Sequence, residues 1–173
     1  MKKMKTKFVL TLYFALVLGF VSNASAQLVA GSPEDAAYTK IMAETNPDAK
    51  AGLLLDFEKE FPQSRVLQDI YVMLMTIYQE KNDTAKAVDY GERAIKVDED
   101  NVTALLAVSR NYSIERKNLD RAVQYAQKAL DTVEKMKTQP APPQYTEQQW
   151  KEYVDTSEQV AKSMLAYAKS LKP

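Results

Sequence analysis

Ala87-Val88-Asp89-Tyr90-Gly91-Glu92-Arg93-Ala94 and Ala122-Val123-Gln124-Tyr125-Ala126-Gln127-Lys128-Ala129 lie thirty-five residues apart and carry alanine, valine, tyrosine and alanine at matched positions. Both octets sit in segments with helical spacing of small and apolar residues. A self-similar period of this length points to an all-α solenoid of antiparallel helix hairpins, each burying its apolar face against the next. Architectures of that kind bind partners far more often than they catalyse reactions.

Outward from the two octets, the helix boundaries are marked by caps. Ser32-Pro33 and Asn46-Pro47 each start a helix, with proline where its missing N–H costs nothing. Leu53, Leu54, Phe57 and Phe61 form the stripe of the second helix, and Pro62 ends it. A third helix is predicted from about Ser64 to Lys81, presenting Leu67, Ile70, Tyr71, Leu74, Ile77 and Tyr78. Asn82-Asp83 makes the turn, with Asp83 as the cap of a fourth helix reaching Val97. After the acidic turn Asp98-Glu99-Asp100-Asn101, a fifth helix runs to about Arg116, and Asn118 caps a sixth that ends near Lys137. Thr138-Gln139-Pro140-Ala141-Pro142-Pro143 is predicted to be a stiff, extended connector. Thr146-Glu147-Gln148-Gln149 reads as a capping box. The last helix then aligns Trp150, Tyr153, Val154, Val160, Ala161, Met164, Leu165, Ala168 and Leu171. No stretch carries a β-strand pattern, so about seven helices are expected.

The chain opens with Lys2, Lys3, Lys5 and Lys7, an apolar run from Phe8 to Val21, and the small-x-small triplet Ala24-Ser25-Ala26. This is the pattern of an export signal cleaved after residue 26. The apolar run of 14 residues is shorter than the ~20 needed to cross a bilayer core. An uncleaved N-terminal anchor is the alternative. Without cysteine at the cut there is no lipid attachment, so a periplasmic or secreted chain, not stably inserted in a membrane after cleavage, is expected.

The whole chain balances 23 basic against 23 acidic residues; the leader holds four of the lysines and no acid, so the remainder carries a net charge of −4. Mild acidity without a basic face offers nothing to nucleic acid. The chain has no histidine and no cysteine, which removes the common zinc ligands, the usual general base and thiol nucleophiles. Asp98-Glu99-Asp100 does not open an EF-hand loop, because Thr103 and Ser109 stand where glycine and glutamate are required. No cofactor, no metal site and no enzymatic activity are expected.

The helix pairs of residues 65–137 resemble two tetratricopeptide repeats. The first supplies Tyr71, Leu74, Met75, Tyr78, Ala87, Gly91 and Ala94; the second supplies Leu105, Val108, Ser109, Tyr112, Ala122, Ala126 and Ala129. Large residues on the first helix of each pair fill the space between hairpins, and alanines on the second let backbones approach. Met75, Gly91, Ala126 and Glu99 depart from the family pattern. Residues 27–64 look like a further, degenerate hairpin whose end, Phe57 to Ser64, is similar to envelope-associated members. Residues 138–145 connect to residues 146–173, which resemble the helix that closes such arrays.

The resemblance implies a concave groove lined by the first helices of the hairpins. Its groove-facing positions would be Asp69, Val72, Thr76 and Gln79 on one helix and Thr103, Leu106, Arg110 and Ser113 on the next. Val72 and Leu106 would supply apolar contact and Arg110 an anchor for a carboxylate. Arg110 equally suits an intrahelical ion pair or plain solvation. The lysine-and-asparagine carboxylate clamp of some family members is not expected, since Val72 and Thr76 occupy two of its places. The function expected is a non-catalytic adaptor or scaffold binding a protein or peptide of the cell envelope. The alternative is a structural subunit of an envelope complex, outer-membrane assembly or cell-wall machinery, using its convex face or last helix.

Overall fold

The computed structural model describes residues 28–172, so the export-signal reading of residues 1–26 lies outside the described residues. Among the described residues there are seven α-helices and no strand: an all-α fold. They are α1 (Pro33–Ala43), α2 (Pro47–Glu60), α3 (Leu67–Glu80), α4 (Thr84–Val97), α5 (Val102–Glu115), α6 (Leu119–Met136) and α7 (Glu147–Ser170). None is long and apolar enough to cross a membrane. The chain divides into two compact units, residues 28–99 and residues 100–172, with the boundary inside the acidic turn.

In residues 28–99, consecutive helices pack in order, α1 on α2, α2 on α3 and α3 on α4. Side chains do the capping foreseen at the starts. Ser32 Oγ accepts from the Asp35 N–H, and Asn46 Oδ1 accepts from both Asp48 and Ala49. The core is Ile41, Leu54, Phe57, Ile70, Leu74 and Met75, all fully buried, with Ala87 and Ala94 of α4 equally enclosed. Each large aliphatic or aromatic side chain so buried contributes about 1.5–3 kcal/mol from removal of apolar area from water. Tyr90 stacks on Tyr78 with ring centroids 5.7 Å apart and planes 7° from parallel. Arg93 lies 5.0 Å over the Tyr90 ring and reaches Glu58 of α2 at 2.7 Å, so α4 is also clasped to α2.

The third helix begins at Leu67, three residues later than the pattern suggested. Ser64 explains the delay. Its N–H bonds the Phe61 carbonyl at 3.0 Å, and its hydroxyl accepts from Val66 at 3.1 Å. A serine bonding its own following backbone holds the chain in a turn rather than a helix.

In residues 100–172, α5 packs on α6, and α7 packs along α6 and against α5. Alanines 122, 126 and 129 of α6 are fully enclosed, as close backbone approach requires. The α5 helix is buried on most of its circumference, including Leu105, Leu106, Ala107, Val108 and Ser109. Ser109 resolves its own burial by donating to the Ala122 carbonyl at 2.7 Å. Asn101 caps α5, its Oδ1 accepting from the Ala104 N–H at 2.8 Å. Asp100 instead receives Lys128 and Thr132 of α6, each at 3.1 Å.

Two differences from expectation concern this unit's loops. Asn118 occupies the cap position of α6 but makes no side-chain cap bond; its backbone is left-handed, with φ 47°. The connector is not extended throughout, because Tyr145 N–H bonds the Pro142 carbonyl at 2.9 Å and turns the chain. That turn brings Tyr145 within 5.6 Å of the Trp150 ring and 6.1 Å of Tyr153, an aromatic cluster at the start of α7. The Thr146–Gln149 capping box is fully formed.

Candidate functional site

The eight positions singled out by resemblance fall four in each unit, and each set occupies one helix face by itself. On α3, Asp69, Val72, Thr76 and Gln79 follow one another at steps of three or four, so they share a side of the helix. Val72 is buried. Thr76 is half-buried, and its hydroxyl donates to the Val72 carbonyl at 2.9 Å, which leaves it satisfied within its own helix. Gln79 has its amide Nε2 enclosed without a hydrogen-bond partner. Asp69 is half-buried beside Tyr38 of α1. Burial pushes its carboxyl up to about 6, and burial together with the Asp69 charge pushes the Tyr38 hydroxyl up to about 12.

On α5, Thr103, Leu106, Arg110 and Ser113 share a face in the same way. Thr103 is engaged by α7, since the Tyr153 hydroxyl bonds both it and Ser157. Leu106 is only 2 % exposed and acts in packing. Ser113 is fully buried with no partner for its hydroxyl, and the Arg110 Nε is enclosed without one. Arg110 makes no ion pair among the described residues.

One buried polar residue of α5, on a different side of the helix, was not singled out from sequence. Asn111, adjacent to Arg110, is buried, and its Nδ2 has no partner. The signal was present as Arg110-Asn111 interrupting an otherwise apolar and small-residue helix, but a polar residue on a helix is ordinary until its burial is known. Arg110 Nε and Ser113 Oγ, three residues apart, are unpaired on one side of α5, and Asn111 Nδ2 is unpaired on another. Leaving a buried donor unpaired costs about 1–3 kcal/mol.

The face has no catalytic constellation among the described residues: Arg110 is its one ionisable group apart from Tyr153, and no three acidic side chains gather as a metal would require. Its unpaired polar atoms, Arg110 Nε and Ser113 Oγ, can both donate hydrogen bonds. No family model matches the chain, and no curated protein matches it in sequence.

Proposed function

We propose that this protein is a non-catalytic, exported adaptor of the tetratricopeptide type that binds a protein segment in the cell envelope. The export reading rests on the basic, apolar and small-residue pattern of residues 1–26; the family reading rests on a period of thirty-four to thirty-five residues carried by both helices of each pair.

The observation that carries the binding reading is the pair of unpaired donors on one face of α5, Arg110 Nε and Ser113 Oγ. An extended protein segment presents backbone carbonyls and acidic side chains, the acceptors these groups lack. A guanidinium that bonds a carboxylate in a partly dry setting contributes about 1.5–3 kcal/mol.

Affinity capture from an envelope extract tests this, with residues 27–173 beside an Arg110→Glu variant whose helicity is checked by circular dichroism. Leu106 is unsuitable for such a variant because it is buried. A partner lost by the folded variant supports recognition through α5. A partner held equally by both proteins overturns it and favours the convex face or the last helix of a structural subunit.

A further inference from the structure

The unit of residues 28–99 contains a second feature that the groove reading does not use. A surface cavity of about 510 Å³ opens between the residues leading into α1 and the segment that follows α2. That volume lies within the range of small-ligand pockets. Its apolar wall includes Val29, Phe61 and Pro62, and its charged wall includes Glu34, Glu60 and Arg65.

Glu34 is the informative residue. It stands in the first turn of α1, where acidic groups commonly cap the helix, yet the capping is done by its neighbours. Ser32 Oγ takes the Asp35 N–H, and Asp35 takes the Gly31 N–H at 2.9 Å. Glu34 Oε1 is enclosed with no hydrogen-bond donor. No ion pair among the described residues engages Glu34, Glu60 or Arg65.

The surroundings are fixed in advance. Phe61 is anchored by its ring contact with the buried Phe57, at 4.9 Å, and the 61–66 segment is pinned by the turn bonds of Ser64. Val29 is 77 % exposed at the rim, an apolar side chain left without cover.

We propose that this cavity binds an α-ammonium group carried next to an apolar side chain and a carbonyl or carboxylate, the chemistry of a peptide amino terminus or a free amino acid. Glu34, with Glu60 adding to the negative field, takes the ammonium. Phe61, Pro62 and Val29 take the side chain. Arg65 takes the oxygen. With two acids and one base, the lining holds a net negative charge, so the ammonium is the required element and the oxygen the refining one.

Chemical-shift perturbation or calorimetry on residues 27–173 tests the proposal with leucinamide, leucine, leucyl-glycinamide and N-acetyl-leucinamide at millimolar concentration. Leucinamide is expected to bind, N-acetyl-leucinamide to bind at least about tenfold more weakly, and Glu34→Gln to weaken leucinamide by a similar factor with helicity unchanged. Tighter binding of leucine than of leucyl-glycinamide would name the free amino acid as the source; the reverse would name the peptide terminus. Equal binding of the acetylated form, unchanged affinity in the Glu34→Gln variant, or no binding of any amine would overturn the proposal. The groove reading is untouched by this experiment, because Arg110 takes no part in it.

Discussion

The Lys137 ammonium lies 2.8 Å from the Glu158 carboxylate, joining the C-terminal end of α6 to the middle of α7 across the proline-containing connector. The same ammonium reaches Glu134 at 3.1 Å, and Glu158 also receives Lys162, so one small network fixes the final helix in its docked position. The Glu158 side chain is 17 % exposed, which keeps this network partly shielded from solvent.

Hydrogen bonds from Lys137 and then Lys162 hold the Glu158 carboxyl at about 2, far below the usual range. A depressed carboxyl stabilises the fold above its unfolded value, near 4.3, and this contribution is lost as pH falls toward 2. Trp150 is the single tryptophan and sits at the start of α7, so its emission reports the docking. Its emission should change between pH 4.5 and 2, and Lys137→Ala should reduce the dependence on pH. An identical titration in the variant would show that this contact does not hold the helix.

Asn82 (φ 57°) and Arg116 (φ 53°) stand in left-handed backbone at the ends of α3 and α5. In each turn the next N–H returns to the carbonyl five residues back, Asp83 to Tyr78 at 2.9 Å and Lys117 to Tyr112 at 3.0 Å. Glycine or asparagine suits this position and arginine does not. Arg116→Gly is therefore expected to raise stability by about 0.5–1 kcal/mol, and Asn82→Ala to lower it by about 1 kcal/mol. Thermal denaturation of both variants checks the pair; a destabilised Arg116→Gly protein would mean that the arginine side chain contributes more than its backbone costs.

Asp69 makes the opposite pH statement to Glu158. Its carboxyl is raised to about 6 by burial, so between about pH 4 and 6 the folded chain holds a proton that the unfolded chain has released. Stability conferred by that proton is lost as pH rises through this window. Asp69→Asn should then be stabilising at pH 7.5 by of order 1 kcal/mol, after allowance for screening of a half-exposed group, and nearly neutral at pH 4. Melting temperatures at the two pH values decide it, and equal differences at both would reject burial as the cause.

Ser109 Oγ donates to the Ala122 carbonyl at 2.7 Å inside the α5–α6 contact. Ser109→Ala removes that bond and leaves no charge behind, so a loss of about 1 kcal/mol is expected, read as a lower urea midpoint with unchanged slope. No change in midpoint would mean that the interhelical bond adds nothing beyond packing.

The thirty-five-residue offset between the two octets has a local origin. The left-handed residues Asn82 and Arg116 are thirty-four apart, whereas the cap positions Asp83 and Asn118 are thirty-five apart. Lys117 is the extra residue between them, and it forces a second left-handed conformation at Asn118. That conformation is incompatible with the extended backbone a side-chain cap needs, which is why Asn118 makes none.

Local chemistry was legible in the sequence because it depends on a few adjacent residues. Ser32, Asn46, Asp83 and Thr146 cap helices wherever they stand, Pro62 ends one, and periodic apolar residues choose helix over strand. Enclosure of Ala94 and Ala126 followed from the same spacing, since small residues recur where backbones must approach. By itself, then, the sequence determined an all-α chain, nearly all its boundaries and most of its core. Tertiary structure alone decided the rest. It buried α5 on most sides, set Leu106 in the packing, joined Thr103 to Tyr153, and left Arg110, Asn111, Ser113 and Glu34 with enclosed atoms that nothing within the described chain satisfies. Helix formation is settled by bonds between neighbours in the chain, whereas burial and the partners of a polar atom depend on segments distant in sequence that meet only in the folded protein.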